Sequence, residues 1–174
     1  MRGIRKYEVE ILKNANVQIY FGEGKGKTTA AIGQCIKYAG MDKQVVVVQF
    51  LKGKSSEELE LLKRLEPEIK VFRFEKSDCC YEHLTEEQRH EQEVNIHNGL
   101  HYARKVVDTK SCDVLVLDEI LGLLDHKIVG IDAMEELIAL SEGEIEIILT
   151  GRSLPKEVED LAGFVYQINT IKEL

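Results

Sequence analysis

The chain is written in short apolar blocks separated by longer amphipathic stretches. Val17 to Phe21, Val45 to Val48, Ile69 to Phe74, Val114 to Leu117, Glu144 to Leu149 and Phe164 to Ile168 are strand-sized and rich in β-branched residues. Residues 45–48 and 114–117 are apolar at every position. That continuity marks strands covered on both faces, as parallel sheets between helices require.

Between the blocks the period lengthens to that of a helix. Lys27 to Ala39 predicts a helix stopped by Gly40 as a left-handed cap. Ser55 and Ser56 can cap a helix that carries Leu59, Leu62 and Leu65 and stops before Pro67. Thr85-Glu-Glu-Gln88 fits a capping box opening a long helix with Ile96, Leu100, Ala103 and Val107 along one side. The first half of that helix is polar all round, which predicts projection into solvent or toward a partner. Asp132 can cap a helix through about Leu140, with Gly143 beyond it, and Pro155 suits the first turn of a helix closing at Gly163. Residues 75–84 carry no period and read as a loop. Residues 1–14 are charged, with Ile4, Tyr7, Ile11 and Leu12 able to form one side of a short helix, and read as an N-terminal appendage to a single domain spanning 15–174.

Strands alternating with helices predict an α/β fold: a mainly parallel sheet of about six strands flanked by helices. In such sheets ligands sit outside the carboxyl ends of the strands. Polar groups follow the last apolar residue of their strands at Gly22 to Thr28, Gln49 to Gly53, Asp118-Glu119 and Thr150 to Arg152. The pattern therefore brings all four to one edge.

The first of these groups carries the strongest chemical signal. Tyr20-Phe-Gly-Glu-Gly-Lys-Gly-Lys-Thr-Thr29 reads as strand, glycine-rich loop, then helix, a P-loop that cradles phosphate. Gly22, Gly24 and Gly26 allow successive N–H groups to curl around an anion. Lys27 adds charge, Thr28 offers a hydroxyl to Mg²⁺, and the helix turns its positive end toward the same anion. The usual P-loop has its first glycine where Phe21 stands, so this loop is one residue short.

Composition narrows the partners. A chain of 174 residues, 44% hydrophobic, has the size of one domain with a full core. Its 31 acids against 23 bases give a net charge of −8, which argues against nucleic acid or a membrane surface. Cys35, Cys79, Cys80 and Cys112 show no CxxC spacing, the N-terminus lacks a signal-peptide core, and no apolar run nears the roughly 20 residues of a membrane span. The expectation is a reduced, cytoplasmic chain.

At the functional edge, Asp118 after four apolar residues fits the acid that holds Mg²⁺ on a P-loop nucleotide, directly or through water, with Thr28 and Glu119 completing the set. Lys25, Lys52 and Arg152 are candidates for neutralising the remaining phosphate charge. Cys79, Cys80 and His83 make a poor zinc set, since adjacent cysteines rarely ligate one metal. His97 and His101, one turn apart, read as helix-surface histidines.

Gly22-Glu-Gly-Lys-Gly-Lys-Thr-Thr-Ala-Ala-Ile-Gly33, Val47-Val-Gln-Phe-Leu-Lys-Gly53, Val116-Leu-Asp-Glu-Ile120 and Leu149-Thr-Gly-Arg152 together resemble the P-loop ATP:corrinoid adenosyltransferases of cobalamin biosynthesis. The short loop looks like that family's own spacing. The resemblance implies transfer of the 5′-deoxyadenosyl group of ATP to the Co(I) of a reduced corrinoid, with triphosphate leaving and no phosphate cleaved. It implies Mg²⁺ or Mn²⁺, a homodimer, and a reductase supplying Co(I). Gly22, Glu23, Gly24, Lys25, Gly26, Lys27, Thr28, Thr29, Gln49, Lys52 and Arg152 are then expected to hold ATP, with Lys27 and Glu119 catalytic and Thr28, Asp118 and Glu119 on the metal. Similar enzymes turn aromatic residues, a tryptophan among them, toward the corrin. This chain has no tryptophan and offers Phe74 and Tyr81. Two rivals share the P-loop: an ordinary ATPase or small-molecule kinase, in which Glu119 orients water and Arg152 serves the γ-phosphate, and a non-catalytic protein that binds ATP and corrinoid.

Overall fold

A computed structural model describes residues 16–51, 57–74 and 81–173. The expectations for residues 1–14, for the caps Ser55 and Ser56, for Lys52 and for most of the loop at 75–84 lie outside them.

Six strands form one sheet, β1 (Val17–Phe21), β2 (Val45–Gln49), β3 (Ile69–Arg73), β4 (Val114–Asp118), β5 (Glu146–Gly151) and β6 (Phe164–Gln167), in the order β3-β2-β4-β5-β1-β6. Every pairing is parallel. The described helices are α1 (Lys27–Ala39), α2 (Glu57–Leu62), α3 (Glu86–Asp108), α4 (Ile120–Asp125), α5 (Ile131–Leu140) and α6 (Lys156–Glu159).

The two-residue alternation of each strand divides the core. Val45, Val47, Val114, Val116 and Ile148 pack with Ala31, Ile32 and Cys35 of α1 on one face. Val46, Val48, Leu115, Leu117, Ile147 and Leu149 pack on the other with Ile96, Ala103, Leu121, Met134 and Val158 from α3 to α6. The fully apolar blocks are thus explained: both faces of β2 and β4 are covered, whereas β6 lies at the sheet edge and is exposed at all four residues.

The structure corrects several boundaries. Gly40 is not left-handed (φ −66°); the chain reverses at Asp42, whose φ is 60°. Gly130 caps α5, and Asp132 sits in the first turn instead. After α2 the chain tightens into a 3₁₀ turn at Lys63–Leu65, leaving Leu62 buried and Leu65 exposed. The capping box at Thr85 forms as read, with Gln88 and Thr85 bonding reciprocally.

The first half of α3 does not simply project. Gln92 is buried and its amide donates to the Phe74 carbonyl at 3.2 Å, while Glu93 accepts from the Tyr81 hydroxyl at 2.8 Å. Polar residues dock this half because their partners are polar as well, a contact that a search for an apolar stripe does not register.

Candidate active site

The four polar groups do reach one edge, and the strand alternation says how. Counting two residues on from Val47, Val116 and Ile148, all on the α1 face, gives Gln49, Asp118 and Thr150. These end three neighbouring strands, β2, β4 and β5, directly beneath the start of α1. All three are buried.

Their side chains close on one carboxylate. Oδ1 of Asp118 accepts from Thr28 Oγ1 at 2.9 Å and from Thr150 Oγ1 at 2.7 Å. Oδ2 accepts from Gln49 Nε2 at 2.8 Å. Three donors on two oxygens leave the carboxylate little freedom to rotate, so Thr28 is held at a fixed place at the head of α1. Thr150 also accepts the backbone N–H of Glu119 at 2.8 Å.

The phosphate loop begins one residue late because β1 runs on through Phe21, which pairs with Gly151 and Gln167. The chain then turns at Gly22 (φ 132°), whose N–H donates to the carbonyls of Gly151 and Arg152. A β-carbon on Gly22 would stand 2.3 Å from the Ile168 carbonyl oxygen, and one on Gly24 would stand 2.6 Å from the Thr170 nitrogen. Both glycines are therefore required by the segment following β6, which lies against the loop. Gly26 (φ 110°) closes the loop and caps α1, whose first turn carries no acid. No acid of the helix itself offsets its positive end.

Lys27 is buried, and its ammonium donates to the Gly24 carbonyl at 2.8 Å, spanning the loop from within. Glu23, Gly24, Lys25, Gly26, Lys27, Thr28, Thr29, Glu119 and Arg152 line a cavity of about 470 Å³ above it. Glu119 gets there by adopting a left-handed backbone (φ 61°) as the residue before α4, a conformation uncommon for a residue with a β-carbon.

Not every expected site residue is committed to the cavity. Gln49 lies behind the cavity, on Asp118, and not among its lining residues. Lys25 is largely exposed and pairs with Glu173 of the C-terminal segment. Phe74 is half-buried against Tyr102, its ring filling the space left at Gly99, where a β-carbon would meet it at 2.9 Å. Tyr81 stands over His126 (ring centroids 4.8 Å apart) beside the Arg89 guanidinium. Burial, then the Glu93 carboxylate, pushes its phenol up to about 12.

Sequence reasoning assigned no role to Thr150; counting by twos from Ile148 gives its face of the sheet but not its place beside Asp118, which follows from β5 lying next to β4. Among the described residues no group of three or more His, Cys, Asp and Glu side chains is arranged to hold a metal ion, and no helix is long and apolar enough to cross a membrane.

Comparison with known proteins agrees with this geometry. Solved structures of similar fold include a KaiC-like protein from Pyrococcus horikoshii (TM-score 0.56, 21% identity, covering 92% of this chain and 75% of that one). The flagellar accessory protein FlaH from Methanocaldococcus jannaschii is similar too (TM-score 0.55, 14% identity, 95% and 78%). At those identities the likeness is one of fold. Curated relatives include the corrinoid adenosyltransferase of Escherichia coli, 26% identical over 155 residues, and corrinoid adenosyltransferase CobA of Salmonella typhimurium, 29% identical over 155 residues. Each alignment spans 88% of this chain and 76% of the relative. The sequence profile described as ATP:corrinoid adenosyltransferase BtuR/CobO/CobP matches residues 13–174, from before β1 through all four strand-end motifs. With a P-loop one residue short, an acid at the end of β4 and a match along nearly the whole sequence, the chain belongs to the ATP:corrinoid adenosyltransferase family.

Proposed function

We propose that the site transfers the 5′-deoxyadenosyl group of ATP to a reduced corrinoid as follows. Co(I) gives an electron pair to the ribose C5′, the C5′–O5′ bond breaks, and its electrons leave with the intact triphosphate. The observation that carries this is the pairing of a phosphate-binding loop with the family match: Lys27, Thr28 and the head of α1 converge on one cavity. Charge grows on the triphosphate as it departs, so donors fixed beforehand around it lower the barrier. Lys27, tied to Gly24 and shielded from solvent, supplies such a charge without a costly reorientation.

The donor set suits magnesium. Thr28 gives its hydroxyl hydrogen to Asp118, so its oxygen faces the cavity as an electron-pair donor. Hydroxyl and carboxylate oxygens match a hard, six-coordinate cation that keeps several waters. Thr28 would hold Mg²⁺ (or Mn²⁺) directly, Asp118 through Thr28 and water, and Glu119 from the cavity wall. When bound, the ion neutralises charge on the leaving triphosphate. Gln49, behind the cavity, acts on this set by bonding Asp118.

The same reading gives Phe74 and Tyr81 to the corrinoid side, and takes the protein to be a cytoplasmic homodimer served by a reductase. The test is product identity. With ATP, Mg²⁺ and chemically reduced corrinoid, the spectrum should change to that of a light-sensitive Co–C product. ADP formation with unaltered cobalt would favour the ATPase or kinase alternative.

A further inference from the structure

The roles above leave the buried hydroxyl near the end of β5 unused. Thr150 has no exposed surface, yet its side chain touches both acids of the site: it donates to Asp118 Oδ1 at 2.7 Å and accepts from the Glu119 N–H at 2.8 Å. A hydroxyl has one hydrogen to give and lone pairs to receive, and here both capacities are used in line. We propose that Thr150 is a positioning residue, locking the Asp118 carboxylate behind Thr28 and the Glu119 backbone in its left-handed turn, and so setting the affinity for magnesium-bound triphosphate. This rests on the magnesium–ATP reading above.

First, a left-handed backbone is strained for a residue with a β-carbon, so Glu119 needs a compensating contact. No side chain of Glu119 caps α4, and the Thr150 oxygen meets the amide at that cap. Second, the end of β5 has no slack. A β-carbon on Gly151 would lie 2.4 Å from Leu121 Cβ, so strand and helix are in direct contact one residue beyond Thr150. Third, Asp118 shares Oδ1 between Thr150 and Thr28, so loss of the first donor removes one of the three that fix the carboxylate and loosens its hold on the second.

The test is calorimetric binding of ATP to the full chain, with and without Mg²⁺ and with no corrinoid present. In the unaltered protein Mg²⁺ should raise ATP affinity. Thr150→Val keeps the shape and removes the hydroxyl. It should cut the Mg²⁺-dependent part of the affinity by about tenfold, the scale of one hydrogen bond to a charged group. Affinity without Mg²⁺ should stay within about twofold of the unaltered protein, since Lys27 and the loop amides are untouched. Thr150→Ser restores the hydroxyl and should restore the response to Mg²⁺. Thr150→Ala should repeat the loss, and it stands in if the valine variant does not fold. Hydroxyl-free variants that respond to Mg²⁺ like the unaltered protein would overturn the proposal, as would a serine variant as impaired as valine, or an equal loss with and without Mg²⁺. If the unaltered protein binds ATP equally well with and without Mg²⁺, the magnesium reading fails first, and the proposal with it.

Discussion

The phosphate site and the region proposed to face the corrinoid are made differently. On the phosphate side, Gln49, Asp118 and Thr150 end adjacent strands, are buried, and bond to one another or to the head of α1. On the side assigned to the corrinoid, Phe74 follows β3 and is packed against Tyr102, while Tyr81 is held by Glu93, His126 and Arg89 from helices and their ends. The first side is fixed by sheet register, which admits no small displacement. The second is fixed largely by side-chain contacts, with one backbone bond from the Phe74 N–H to the Gln49 carbonyl. A rigid phosphate grip beside a more adjustable wall suits a reaction in which the triphosphate is held still while a large cofactor approaches.

The largest expected effect separates the two sides outright. Lys27→Ala should lower ATP affinity by at least about a hundredfold, since it removes a buried charge-assisted contact. Tyr81→Ala should leave ATP affinity within about twofold and lower kcat/KM for the corrinoid by roughly tenfold. Calorimetry and steady-state kinetics measure both, and equal damage to ATP binding from the two would break the division.

Next comes the rigidity of the phosphate side. Gly22→Ala places a β-carbon against the Ile168 carbonyl at a backbone angle favouring glycine, and should cost about 2–3 kcal/mol, read as a fall in Tm. A Tm unchanged within a degree would show that the C-terminal segment yields easily.

A smaller effect tests how Tyr81 is held. Because its phenol is pushed up to about 12 from an ordinary 10, the folded state keeps a proton that the unfolded chain loses first. That contribution to stability is complete below about pH 10 and is lost as pH rises toward about 12. Tyr81→Phe should therefore show a shallower fall of stability across that window, and the same pH dependence of activity as the parent between about pH 6 and 9. An identical alkaline slope in both proteins would place the phenol outside the fold's hydrogen bonding.

Smallest of all, Cys35 and Cys112 are buried, and burial pushes both thiols up to about 12. Iodoacetamide near pH 8 should leave both unmodified by mass spectrometry until denaturant is added. Labelling of Cys35 in the native protein would mean that the α1 face opens.

How much of this was legible in the sequence follows the same division. The alternation of apolar blocks and helical stretches carried the sheet, because strands buried on both faces leave little ambiguity at Val45 to Val48 or Val114 to Leu117. The loop from Gly22 to Thr28 was legible because phosphate binding demands a rare combination of glycine, lysine and hydroxyl. Thr150 and the placement of Gln49 behind Asp118 were not, since a threonine or glutamine at a strand end has many uses until neighbouring strands are known. The chain reversal at Asp42 was missed for a related reason: an aspartate at φ 60° leaves no mark comparable to a glycine. On the side proposed for the corrinoid, Gln92 and Glu93 dock by hydrogen bonds to Phe74 and Tyr81, and hydrophobic periodicity cannot register such contacts.

The account depends most on which atom of the nucleotide is attacked. Phosphorus NMR of a reaction containing ATP, Mg²⁺ and excess Co(I) corrinoid decides this directly. The expected result is inorganic triphosphate accumulating in step with the Co–C product and no ADP. Orthophosphate and ADP growing while the corrinoid stays unalkylated would contradict it.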